Sequence, residues 1–177
     1  MVRKIKFNKM KKLYIFLIIG LVLSSCEDFD FADQGFDLEV LPGYVAFANS
    51  GGTVVPPVSN VNENAGSTSF RIECATGNLT AITVSFSFAG SAVYGVDFSA
   101  PNSTAAGGTI VLPNSVYDVN DYNFVNLVVS ILTDGATDGA KTLTIELTGA
   151  VDGDGLQYSV GRGTYMKIAT VNIADVD

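Results

Sequence analysis

Asp134 and Asp138 lie four residues apart in the stretch Ile131–Leu147, ILTDGATDGAKTLTIEL. Each is followed by glycine, so both carboxylates fall on tight bends. Carboxylates carried on such turns are the oxygen donors that a calcium ion takes. Little other chemistry is open to the chain. It has no histidine, which excludes a Ser-His-Asp triad, a Cys-His pair and any His-based metal centre. Paired-carboxylate chemistry such as glycoside hydrolysis stays formally open, but no feature favours it and no catalytic residue is expected. Of the two cysteines, Cys74 follows Phe70 and Ile72 at every second position and reads as a small buried hydrophobe. The other, Cys26, belongs to a targeting signal.

That signal occupies residues 1–25. Arg3, Lys4, Lys6, Lys9, Lys11 and Lys12 form a basic start, and Leu13–Leu23 is an apolar run of 11 residues. A permanent membrane span needs about 20 apolar residues, so the run is too short for one. Leu23-Ser24-Ser25-Cys26 resembles the bacterial lipoprotein signal, in which the cysteine is acylated and becomes the new N-terminus. The resemblance implies an outer-membrane lipoprotein anchored in the lipid bilayer through Cys26. Residues 26–43 read as an acidic, aromatic tether, and the acids directly after Cys26 resemble export signals to the cell surface. Removing residues 1–25 leaves 152 residues with 18 acids against 4 bases, a net charge of −14. Such a surface repels nucleic acid and anionic membrane, and suits calcium or plain solubility.

The elements that must position the two aspartates are strands. Leu143, Ile145 and Leu147 alternate with Thr142, Thr144 and Glu146, the period-2 pattern of a half-buried strand. The same alternation runs through Ser69–Cys74, Ile82–Phe88 and Phe124–Leu132. Shorter segments at Tyr44–Ala48, Thr109–Leu112 and Tyr165–Ile173 complete about seven strands. Gly, Asn, Asp and Pro turns separate them, and no helix is expected beyond the signal. Pro56-Pro57 confines its segment to an edge or a loop. Gly90–Ser103 reads as a loop, and Asp152-Gly153-Asp154-Gly155 as a hairpin bend. The pattern predicts an all-β, immunoglobulin-like antiparallel β-sandwich over residues 44–177.

Four segments, in order, resemble the Calx-beta family, a module of sodium–calcium exchangers, integrin β4 and many bacterial surface proteins. Val61-Asn62-Glu63-Asn64-Ala65-Gly66 is similar to the family's V-x-E-N-A-G, and Gly95-Val96-Asp97-Phe98 to its G-x-D-Y. Ile131–Leu147 resembles I-x-D-D-x-x-x-E-G-D-E-x-F-x-V-x-L, and ATVNIADVD at Ala169–Asp177 resembles A-T-V-T-I-x-D-D-D. The likeness spans about residues 54–177. It implies that acids at these four places gather at one end of the sandwich and hold calcium. Carried over by position, the metal candidates are Glu63, Asp97, Asp134, Asp138, Asp175 and Asp177. Two such carboxylates ~4 Å apart repel by about 4 kcal/mol at an effective dielectric near 20. The chain departs from the pattern at Ala140 and Lys141, where the family often carries acids, and at Val176, which interrupts the terminal triplet. Lys141 is placed to neutralise part of the cluster. The six acids therefore carry two readings, as ligands and as turn formers, and any calcium site is expected to be weak, ~10⁻⁴–10⁻³ M.

Three classes of function stay open on sequence. The first is a non-catalytic binding or adhesion module with an unnamed protein or glycan partner. The second is a glycan-binding accessory lipoprotein of a nutrient-uptake system, for which Tyr94, Tyr117, Tyr122 and Tyr158 in predicted loops are the residues to watch. A carboxylate-based enzyme ranks last.

Overall fold

The structure is a computed structural model that describes residues 43–48, 55–74, 77–114, 123–162 and 166–176. The leader, Cys26, most of the tether, Tyr117, Tyr122 and Asp177 lie outside the described residues. Among the described residues eleven strands follow one another: β1 (Tyr44–Phe47), β2 (Val58–Asn62), β3 (Ser67–Cys74), β4 (Ile82–Gly90), β5 (Phe98–Ser99) and β6 (Ser103–Thr104), then β7 (Gly107–Leu112), β8 (Asn123–Ile131), β9 (Lys141–Asp152), β10 (Gln157–Val160) and β11 (Ile168–Ala174). The seven strands expected from alternation are β1, β3, β4, β7, β8, β9 and β11. The sequence reading missed β2, β5, β6 and β10. Of these, β5 lies inside the segment expected to be a loop and β6 straddles its end. These four strands have only two to five residues, too few for a period of two to show.

One layer runs β5-β8-β3-β1, and the other runs β6-β7-β4-β9 with β11 and then β2 beyond. Strand β10 pairs antiparallel with β9 and parallel with β1, so the two layers are hydrogen-bonded together along one margin. The β2–β11 pair is also parallel. The sandwich is thus antiparallel except at these two ladders. Pro57 stands just before β2, which among the described residues pairs only with β11, as expected of a proline next to an edge strand. The Asp152–Gly155 segment is the hairpin bend joining β9 to β10. Asp152 Oδ1 accepts the backbone N–H groups of Asp154 and Leu156 at 3.0 and 2.8 Å.

The core is built from the alternating positions. Val45, Ile72, Val129, Ile82, Val84 and Ile145 are fully buried, and Phe86 and Cys74 lie among them. Burying one such aliphatic side chain stabilises by roughly 1.5–3 kcal/mol. Along β9 the parity breaks once. Leu143, Ile145 and Leu147 face in, and the next inward residue is Ala150. Between Ser85 and Phe86 the pairing of β4 with β9 slips by one residue, a β-bulge that leaves Thr148 exposed and returns Ala150 to the core.

Candidate metal site

Sheet register brings the acidic turns together at one end of the sandwich. The β2–β11 ladder ends on Asn62 opposite Ala174, which sets Glu63 beside Asp175. The β9–β11 ladder pairs Lys141 with Ile173, so the turn before β9 starts at the same level. Strand β5 pairs Phe98 with Ile131, and the Leu132 N–H donates to the Asp97 carbonyl at 2.9 Å, placing Asp97 where β8 runs out into the acidic loop. Five of the six candidate acids therefore converge, and the sixth, Asp177, lies outside the described residues.

Their surroundings differ. Glu63 starts a single 3-10 turn, Glu63–Ala65, and is buried. Its Oε1 accepts the Asp134 N–H at 3.3 Å and its backbone carbonyl accepts the Thr133 hydroxyl at 3.2 Å, while Oε2 is sealed from solvent. Asp97 is also buried, and its Oδ2 accepts the Val93 N–H, closing the turn that precedes β5. Asp134 and Asp138 are exposed. Asp134 Oδ1 accepts the Ala136 N–H at 2.8 Å, an Asx turn. Asp175 Oδ2 accepts the Gly139 N–H at 2.7 Å, tying the end of β11 to the acidic loop. Glu63, Asp97, Asp134 and Asp175 thus each accept a backbone N–H on one oxygen of a carboxylate that has two.

Asp97, Asp134 and Asp138 each present a carboxylate oxygen within 4.8 Å of the other two. Ligands at opposite sides of a calcium ion stand ~5 Å apart at 2.3–2.6 Å from the metal, so the three oxygens fit around one ion. All are hard oxygen donors, the kind that calcium, magnesium and manganese prefer. A small cleft beside them is lined by Glu63, Asp97, Asp138, Lys141 and Asp175, together with Gly139 and Ile173. The sequence reading left Gly139 and Ile173 out of the site. Gly139 carried a turn signal, whereas Ile173 looked like any inward strand residue.

Lys141 enters this cleft as the first residue of β9. Its ammonium stands 2.7 Å from Asp138 Oδ2. The hydrogen bond to Asp138 raises its pKa above the ordinary 10.5; partial burial opposes the rise, and the charges of Asp138, Asp97 and Asp134 add to it. The backbone around it is held by the neighbouring strand β4. Gly90 has φ +116, and a Cβ there would meet the Thr142 carbonyl oxygen at 2.1 Å. With glycine present, that carbonyl instead accepts the N–H groups of Ser91 and Ala92 at 2.9 and 3.1 Å.

No family model and no curated protein matches this sequence. Solved structures do. An apo-form Calx CBD1 domain shares 21% identity at a TM-score of 0.53, over 77% of this chain and 99% of that one. CBD12 from CALX1.2 shares 21% at 0.52, over 76% of this chain and 44% of that one. The Calx CBD2 domain shares 14% at 0.51, over 76% and 87%. The fold is that of a Calx-beta domain.

Proposed function

We propose that the chain is a non-catalytic binding module whose acidic end takes a calcium ion, carried at the outer membrane by acylation of Cys26. The observation behind the calcium reading is the convergence of the Asp97, Asp134 and Asp138 oxygens within 4.8 Å. The Calx domains that share the fold support it, and so does the histidine-free, acidic composition. In this reading Asp97, Asp134 and Asp138 hold the ion, with Glu63 and Asp175 bracing the loops that carry them. The ion would join the turn before β5 to the loop before β9, and so stiffen one rim of the module. The partner bound through that rim is a protein or a glycan.

Thermal melts of the full chain in detergent, in millimolar calcium and in chelator, test the metal. Calcium that prefers the native state adds about 2.7 kcal/mol at a hundredfold excess over Kd. The midpoint is expected to rise with calcium, and Asp134→Asn is expected to reduce the rise. Superimposable melts remove the calcium reading.

The glycan-accessory alternative looks for exposed tyrosines on one rim. Tyr94 is engaged elsewhere: its hydroxyl donates to the Ser103 carbonyl at 2.9 Å and its ring packs edge-on against Phe98. Tyr158 is half-buried against the core. These two observations favour the first reading.

A further inference from the structure

Strand β8, NFVNLVVSI, runs along one margin of its layer. On one side it is laddered to β3 from Asn123 to Ser130 without a break in register. On the other side β5 pairs only with Ser130 and Ile131. The Ile131 N–H donates to the Gly66 carbonyl, toward β3, and the Leu132 N–H donates to the Asp97 carbonyl, toward β5. Alternation along the strand therefore turns the backbone groups of Phe124, Asn126 and Val128 toward the open margin. Among the described residues no backbone bond reaches them there. Their side chains stand on the solvent face, where Phe124 and Val128 keep 37% and 40% of their exposure. An edge strand is ordinarily blunted by a lysine, a proline, a bulge or shortness. The other margins follow that rule: β5 and β6 have two residues each, and β2 comes straight after Pro57. Strand β8 has nine residues, no charge, no proline and no bulge against β3.

We propose that this margin pairs with the same margin of a second copy of the chain, antiparallel, about a two-fold axis at Asn126. The open stretch, residues 123–129, is centred on that residue. In this register Asn126 faces its own counterpart, and Phe124 of each copy faces Val128 of the other. These are the residues whose backbone groups point outward, so each pair exchanges both of its N–H···O bonds. An aromatic ring opposite a β-branched side chain is a favourable cross-strand pair, and here it occurs twice. The overlap stops where β5 already occupies Ser130 and Ile131. Phe124 is presented on a neutral support, because the Arg71 guanidinium lies 3.8 Å from its ring centroid and Arg71 Nε 3.2 Å from Glu73 Oε2. Charge also selects the antiparallel arrangement. The acidic loop follows Ile131, so the two-fold axis sends the two acidic ends in opposite directions, whereas a parallel pair would set them side by side. A foreign strand would meet the same backbone groups. What selects a second copy is that the length of the margin and its side chains are symmetric about one residue. The pairing depends on neither the calcium reading nor the acylation of Cys26.

The experiment uses the full chain in chelator, with detergent micelles in large excess over protein so that two chains seldom share one by chance. Sedimentation equilibrium reads the number of chains per complex for wild type and Val128→Lys. Disulfide formation under mild oxidant is read for Asn126→Cys, for Thr148→Cys on the exposed face of β9, and for wild type as the background from its own cysteines. Across a hydrogen-bonded antiparallel pair the Cα atoms stand ~5.5 Å apart, within the reach of a disulfide. Wild type is expected to carry two chains. Val128→Lys is expected to carry one with an unchanged thermal midpoint, because the new ammonium meets a ring that already holds Arg71. Asn126→Cys is expected to cross-link at least about tenfold faster than Thr148→Cys, through the effective concentration that pairing supplies. That comparison decides the matter even if Val128→Lys does not fold. A wild-type complex of one chain overturns pairing between copies and leaves the margin to a foreign strand. Cross-linking of Asn126→Cys no faster than Thr148→Cys, or a folded Val128→Lys that keeps two chains, places the contact elsewhere and overturns it too.

Discussion

At the scale of single residues, the acidic end is made by side chains that serve their own turns first. Asp97 closes the turn before β5, Asp134 makes an Asx turn and Asp175 caps the β9 loop through Gly139. The residue types and their order were legible in the sequence, because acids beside glycines mark bends. Their convergence was not, because it depends on ladders between strands more than 30 residues apart, such as β2 with β11. Titration gives one prediction at this scale. The folded state raises the pKa of Lys141, chiefly through the hydrogen bond to Asp138, and that of Tyr158, chiefly through burial with the Asp152 charge adding to it. Both groups therefore hold protons more tightly folded than unfolded. Their contribution is fully present below their ordinary values of 10.0 for tyrosine and 10.5 for lysine, and is lost as pH rises through the raised folded values. Stability is expected to fall across that alkaline window in denaturant titrations. Tyr158→Phe and Lys141→Gln should each flatten the fall, and an unchanged slope in both would show that neither group is responsible.

At the scale of elements, the apolar pattern located the strands that carry most of the core and missed four short ones, among them β5 with its buried Phe98. Strands β3, β4, β8 and β9 run eight to twelve residues, long enough for inward and outward positions to repeat several times. Strand β2 reads VSNVN, with prolines before it and a turn signal after it, and its pairing is dictated by β11 rather than by its own pattern. The bulge in β9 was invisible for a related reason: Thr148-Gly149-Ala150 looks like a continuation of the strand, and only the register with β4 reveals the extra residue. The bulge makes a sharp prediction for neighbouring positions. Leu147 is fully buried and Thr148 is exposed although the two are adjacent. Leu147→Ala is expected to cost about 2–5 kcal/mol in chemical denaturation. Thr148→Ala should stay within about 0.5 kcal/mol, as surface changes do. Comparable losses at both positions would place the slip in register elsewhere.

At the scale of the whole molecule, charge and anchor belong to one physical account. The chain beyond residue 25 carries 18 acids and 4 bases. A domain so negative gains nothing from an anionic membrane surface and is pushed away from it, so the proposed anchor at Cys26 would have to work against that repulsion. One acyl chain gives only marginal and reversible membrane binding. If Cys26 is the anchor we propose, stable retention of a repelled domain needs more than one acyl chain there. Cys26→Ala is accordingly expected to abolish metabolic labelling with palmitate and to move the protein out of the outer-membrane fraction, while leaving the thermal midpoint of the sandwich unchanged. Protease added to intact cells should cut the wild-type tether if the module faces outward. A Cys26→Ala protein still bound to the outer membrane would mean that some other surface of the chain does the holding.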